Sequence, residues 1–331
     1  MDMEIAINIG WVLLGLTCLY FGAEWLVKGA ANIAMMFGLS SLVVGLTIVA
    51  FGTSAPELVV SLQSNFQGSG DFALGNVIGS NICNLGLVLA IAGILLPIVV
   101  QQEFIKRELP LLVAVSVIFV AVLLIDNKVS RLEGTLFVIG VVAYSSYCVY
   151  VALKNPTDPI ASGVDAPEEE QTPGRSTGVS LLINLAWVVV GLGVLILGAD
   201  RLVAGGEFIA IKMGVSEAVI ALTLVALGTS LPELATTIVA CMKGQSDMAA
   251  GNAIGSCLFN ILCVIGFTAM AKPVVSTSIS MVDLSAMVGF SIATYLLMRN
   301  DRELGRLDGV LLLIGYCVYI AYLFVRPEAV V

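Results

Sequence analysis

Apolar runs long enough to cross a bilayer recur about ten times along this chain, separated by short polar connectors. The pattern predicts transmembrane helices over 5–27, 42–66, 72–99, 108–125 and 131–153, then over 180–203, 218–242, 248–271, 282–298 and 305–325. One long polar stretch interrupts it, at 154–179. Its Pro, Gly, Ser and acidic residues cannot build a core and predict a flexible linker. The linker divides the chain into a first five-helix unit, 1–153, and a second, 180–331. The first ten residues are acidic and lack the basic region of a cleaved signal, so the first span is expected to remain as a helix.

The two units are repeats. Trp11 aligns with Trp187 and Glu57 with Glu233, a constant offset of 176 residues, and from Trp11 to Asn84 roughly 34 of about 74 positions are identical. An odd number of spans per unit forces the second unit to cross the membrane in the opposite sense. The expected fold is therefore an all-α membrane protein of about ten transmembrane helices, built as two inverted-topology five-helix repeats. Such repeats place a binding site near the midplane, where the halves meet. On this topology nine Lys and Arg lie on the linker side and six on the other, which predicts a cytoplasmic linker and both termini outside.

Within the second span of each unit the pattern breaks in the same way. The stretch from Ala50 to Glu57 reads AFGTSAPE, and that from Ala226 to Glu233 reads ALGTSLPE. A carboxylate is expensive inside a membrane, and Pro and Gly weaken the helix that carries it. Pro56 has no N–H for the carbonyl of Gly52 and disfavours helical geometry at Ala55, so the backbone over 52–55 is expected to unwind. Such backbone is tolerated at membrane depth only where it is buried in protein or lines a cavity. The following span adds Asn76, Ser80 and Asn84 on one helix face, repeated as Asn252, Ser256 and Asn260. Gly75, Gly79, Gly251 and Gly255 would let another helix approach closely.

Every pooled ligand atom is oxygen, the preference of a hard cation, and Ca²⁺ takes six to eight of them. Two buried glutamates without a nearby Lys or Arg need a counterion. One Ca²⁺ balances both, and Na⁺ or protons could replace it, which is the physical basis of an antiporter. Other polar residues have blander readings. Asn76 and Asn252 suit hydrogen bonding between helices. Asp71 and Asp247 suit helix caps, Glu24 and Asp200 suit the interface, and Glu103, Glu108 and Glu133 read as solvated helix-end charge.

Composition narrows the alternatives. Of 331 residues 59% are hydrophobic and 12% charged, a balance that no soluble domain needs. A net charge of −9 without a basic cluster excludes a nucleic-acid partner. Absent histidine excludes an imidazole metal site or proton relay. Seven cysteines, without CxxC spacing, read as small core residues. No enzyme activity, cofactor or protein partner is expected, only the lipid bilayer and transported ions. A channel fits less well, because single glutamates on a broken-helix pair suit a carrier better than a pore lined by rings of charge. An intramembrane hydrolase lacks an activated nucleophile.

GTSAPE and GTSLPE, each followed by GNxIGS and Asn, resemble the two α-repeats of the calcium/cation antiporter superfamily. They look closest to its prokaryotic sodium/calcium exchanger branch. The resemblance implies a plasma-membrane antiporter exchanging Na⁺ for Ca²⁺ by alternating access, with a Ca²⁺/H⁺ or K⁺-dependent antiporter as the alternative. It implies a Ca²⁺ site at Glu57, Glu233 and the carbonyls of Thr53 and Thr229. Flanking Na⁺ sites would use Ser54, Ser80, Ser230, Ser256 and the carbonyls of Ala50 and Ala226, sharing the two glutamates. Asn84 and Asn260 would close the middle, and the Gly-rich first and sixth helices would slide. Some members carry aspartate where this chain has Asn260, so two carboxylates are expected here. The linker is too short for the calcium-sensing domains of animal exchangers.

Overall fold

The computed structural model describes residues 3–154, 177–213, 226–277, 279–301 and 303–325. Positions 155–176 of the expected linker lie outside them, as do 218–225 of the seventh expected span. The described chain is almost entirely helical. In order, α1 is Met3–Phe37, α2 Ser41–Thr53, α3 Ala55–Phe66, α4 Gly70–Leu95, α5 Gln102–Asp126 and α6 Arg131–Lys154. After the linker come α7 (Thr177–Lys212), the turn Ala226–Gly228, α8 (Leu231–Met242), α9 (Ser246–Ala271), α10 (Met281–Asp301) and α11 (Arg306–Val325).

Eight of these helices are long and apolar enough to cross a membrane, and the pair α2–α3, bent by 41°, makes a ninth. The seventh expected span, 218–242, is described only from Ala226, so α8 appears as a shorter apolar helix. The chain is thus a multi-pass membrane protein. Its centre is α4 and α9, whose apolar windows are 78% and 89% buried, against 17% in α1. Outer helices leave Leu13, Leu132, Leu182 and Leu307 exposed, as lipid contact permits and water does not.

Small residues set the closest contacts. On α1, Gly15 and Gly22 lie against Gly198 and Gly191 of α7, and a Cβ on either would fall 2.7 Å from a backbone nitrogen of the other helix. Gly29 meets Asn184 and Gly205 meets Asn8, so the two helices run antiparallel. Gly45 of α2 faces Met248, and Gly251 and Gly255 of α9 face Leu42 and Leu46, which seats α9 directly on α2. Two short antiparallel strand pairs join distant connectors. β1 (Ile98–Val99) pairs with β4 (Glu303–Leu304), and β2 (Lys128–Val129) pairs with β3 (Val274–Val275).

Several polar expectations need correction. Asp71 and Asp247 do not cap their own helices. Asp71 accepts from the backbone N–H and hydroxyl of Thr277, and Asp247 accepts from Gln101 at 3.3 Å, each tying a helix start to a connector of the other half. Glu108 is not solvated but fully buried, with Arg107 at 2.6 Å and the Tyr144 hydroxyl at 2.8 Å. Glu24 needs no such correction: it stays partly exposed, as an interfacial residue would, and pairs with Lys243 at 3.2 Å.

Candidate functional site

The two GTSxPE segments fold alike. Pro56 and Pro232 sit at the first turns of α3 and α8, where the missing N–H costs nothing. Just before them, Ser54 (φ −81°, ψ 3°) and Ser230 (φ −89°, ψ 2°) leave helical geometry. The break is narrower than the unwinding expected over 52–55, because Ser54 N–H still bonds the Ala50 carbonyl at 3.0 Å and Gly52 and Thr53 remain helical. One residue per repeat thus redirects the chain and aims Glu57 and Glu233 from the amino ends of α3 and α8. A helix amino end favours negative charge, which partly offsets the cost of burying it.

Both glutamates are fully buried. The carboxylates lie close enough to repel each other, with Thr229 and Ser80 beside Glu57 and with Thr53, Ser54 and Ser256 beside Glu233. Ser54 donates to Glu233 Oε1 at 3.5 Å, so one repeat's serine reaches the other repeat's carboxylate. Thr53 and Ser256 hydroxyls are 3.3 Å apart across the same junction. Neither Glu57 oxygen has a hydrogen-bond donor, nor does Glu233 Oε2, and neither residue pairs with a Lys or Arg among the described residues. Ser80, Ser230 and both polar atoms of Asn84 are likewise buried and make no regular hydrogen bond among the described residues. Buried oxygens normally find donors, and a cluster that does not is suited to a cation.

Asn76 and Asn252 hold the frame around these oxygens. The Asn76 amide donates to the Glu57 carbonyl (3.3 Å) and to Ser61 (3.0 Å), and its Oδ1 accepts from Thr229 (3.4 Å). Asn252 repeats this with the Glu233 carbonyl (3.3 Å), Thr237 (2.9 Å) and Thr53 (3.2 Å). Each asparagine therefore links its own glutamate to the threonine of the other half. Ser61 and Thr237 escaped the sequence reading, although they sit at the same repeat offset and differ only in a methyl group. Asn84 and Asn260 each begin a π-helical turn, Asn84–Val88 and Asn260–Ile265, and both are fully buried.

Of the expected site residues, the structure gathers Thr53, Ser54, Glu57, Ser80, Thr229, Glu233 and Ser256 around the two carboxylates. Ser230 is buried at the break itself. The Ala50 carbonyl is occupied by Ser54 N–H, with the Thr53 hydroxyl at 3.4 Å, and Ala226 opens the short helical turn before the second break. Thr229, Asn76 and Pro56 are partly exposed, whereas Thr53 and Asn252 are fully buried.

Comparison with known proteins agrees with this chemistry. The sodium/calcium exchanger protein family matches residues 7–154 and 183–325. The putative antiporter CaxA of Alkalimonas amylolytica is 38% identical over 319 residues, covering 95% of this chain and 98% of its own length. The sodium/calcium exchanger MaX1 of Methanosarcina acetivorans is 30% identical over 348 residues, covering 97% and 99%. A solved structure of the sodium-calcium exchanger NCX_Mj superposes with a TM-score of 0.80 at 30% identity, over 96% of this chain and 99% of that one. With both halves matched and a cation-suited pair of buried carboxylates between them, this chain belongs to the sodium/calcium exchanger protein family, a family of membrane cation antiporters.

Proposed function

We propose that the protein exchanges Na⁺ for Ca²⁺ by alternating access at one composite site. The observation that carries the reading is the buried pair Glu57 and Glu233, supplied by matching breaks in the two halves and balanced by no basic side chain among the described residues. One Ca²⁺ neutralises both carboxylates, and so do two Na⁺. Either load avoids leaving bare charge in a low-dielectric interior, which would cost several kcal/mol per ion. Ca²⁺ binds Glu57 and Glu233 with the carbonyls of Thr53 and Thr229. Na⁺ takes Ser54, Ser80, Ser230, Ser256 and the carbonyls of Ala50 and Ala226, and Asn84 and Asn260 close the middle. Solved structures of NCX_Mj soaked with Na⁺ and Ca²⁺, or with Na⁺ and Sr²⁺, support this ion class.

The frame for this reading is ten spans in two inverted repeats in the plasma membrane, with the linker cytoplasmic and both termini outside. The strand pairs support it. In a ten-span path the connectors that hold β1 and β4 fall on one face, and those that hold β2 and β3 fall on the other. The antiparallel seam of α1 and α7 fits the same inversion. Partial exposure of Asn76 and Thr229, against the burial of Thr53 and Asn252, supports access from the face opposite the linker. The test is radiolabelled Ca²⁺ uptake into liposomes loaded with Na⁺, K⁺ or acid in turn, at clamped membrane potential. Uptake with Na⁺ alone supports the reading. Uptake that follows a pH gradient without Na⁺ replaces it with Ca²⁺/H⁺ exchange, and uptake without any counter-ion replaces it with a channel.

A further inference from the structure

The two repeats match closely around the site, so a buried polar residue present in only one of them calls for a reason. Position 81 is asparagine, and its repeat partner, position 257, is cysteine. Asn81 is 1% exposed, deep in α4. Its amide nitrogen donates to the backbone carbonyl of Cys257 at 3.3 Å, with the Met287 sulfur at 3.9 Å. A carbonyl can only accept, so this bond fixes which way the Asn81 amide points. Its Oδ1 then faces Asn260, whose amide nitrogen donates to it at 3.1 Å. Asn260 is in turn forced to present its own Oδ1 away from that bond. That oxygen is fully buried and has no donor among the described residues, like the oxygens of Glu57.

Among the described residues the matching position of the other half has only a weaker counterpart, a thiol in place of an amide. Cys257 lies beside Asn84 as Asn81 lies beside Asn260, but its thiol points to the Asn81 backbone carbonyl at 3.8 Å, and neither polar atom of Asn84 makes a regular hydrogen bond among the described residues. We infer that Asn81 is a positioning residue: the chain Cys257 carbonyl–Asn81–Asn260 locks the Asn260 amide so that its oxygen, and not its NH₂, faces the transported cation. Without the lock the amide can turn and set N–H dipoles against a positive ion, which loses a ligand and adds repulsion. The arrangement gives the middle of the site one oriented, uncharged oxygen donor beside two carboxylates. This inference rests on the exchanger reading above and concerns only how that site is tuned.

A double-mutant cycle tests it in proteoliposomes, read as the Ca²⁺ concentration giving half-maximal Na⁺-driven uptake. Asn260→Ala should raise that concentration about tenfold, the worth of one hydrogen-bond-strength contact to a charge. Asn81→Ala should raise it comparably with little change in maximal rate. The double variant should stay near about tenfold and not reach about a hundredfold, because Asn81 acts only through Asn260. Multiplying effects, or an unchanged half-saturation in Asn81→Ala, overturn the proposal. If Asn81→Ala is not recovered folded, Asn81→Ser carries the same cycle. If neither inserts while Asn260→Ala does, Asn81 is a structural residue and the proposal fails. Glu57→Gln run alongside separates the two levels: Na⁺-driven uptake surviving in that variant removes the exchanger reading itself, whatever the cycle shows.

Discussion

Glu57 and Glu108 are both fully buried carboxylates on apolar helices, and their surroundings separate their roles. Glu108 is answered by Arg107 and by the Tyr144 hydroxyl, and Asp283 meets Tyr319 at 3.1 Å in the second half in the same way. Glu57 has hydroxyls beside it, but among the described residues neither of its oxygens accepts a regular hydrogen bond or meets a basic group. A buried ion pair loses stability when one partner is removed, whereas a bare carboxylate is kept for what it binds. Glu108→Gln should therefore lower the melting temperature in detergent and leave the half-saturating Ca²⁺ within about twofold. The frame asparagines behave differently again. Asn252→Ala strands the Glu233 carbonyl, Thr237 and Thr53, and should cost about 1–2 kcal/mol of stability together with lowered uptake. The sequence made Glu57 legible because a proline and a repeat marked it locally. Glu108 was misread because its neighbour Arg107 fits a solvated helix end equally well, and the Tyr144 hydroxyl that completes its burial lies 36 residues away.

At the scale of elements, the glycines of α1 and α7 recur every seven residues, at 15, 22 and 29 and at 191, 198 and 205. The spacing was readable, but the pairing of these two helices with each other was not, since spacing names a face and not its partner. Close backbone approach makes the seam intolerant of added volume. A Cβ at Gly191 would lie 2.6 Å from the backbone nitrogen of Leu26, so Gly191→Ala should cost about 1–3 kcal/mol, seen as a lower melting temperature. Gly193, two residues on, has no described atom within 4 Å of the Cβ it would carry. Gly193→Ala should be neutral or stabilising by up to about 1 kcal/mol from helix propensity. The breaks at Ser54 and Ser230 show a second limit of sequence reasoning. Proline predicts a break but not its extent, because intact helical bonds on either side confine it.

For the whole molecule, the cross-half strand pairs and the bonds of Asp71 to Thr277 and Gln101 to Asp247 stitch connectors of the two repeats together. Repeat alignment could place each connector on a membrane face but not join it to its neighbour, since these are contacts of high sequence separation between short, unremarkable segments. The topology makes a direct prediction. Single cysteines replacing Gln101 and Leu307 should react with an impermeant maleimide from one face of sealed vesicles. Those replacing Arg131 and Val275 should react only from the other. All four positions are exposed, and Cys18 and Cys317 would be changed to serine first. Labelling of Gln101→Cys and Arg131→Cys from the same face would contradict the ten-span path.

The central claim is that Glu57 and Glu233 form one cation site shared by both transported ions. The most direct measurement is Na⁺-gradient-driven radiolabelled Ca²⁺ uptake by Glu57→Gln and Glu233→Gln, each purified, shown to melt cooperatively and reconstituted at matched density. Glutamine keeps the shape and removes the charge. The account predicts that uptake in each variant falls to the level of empty liposomes. Normal Na⁺-driven Ca²⁺ flux in either one would contradict it.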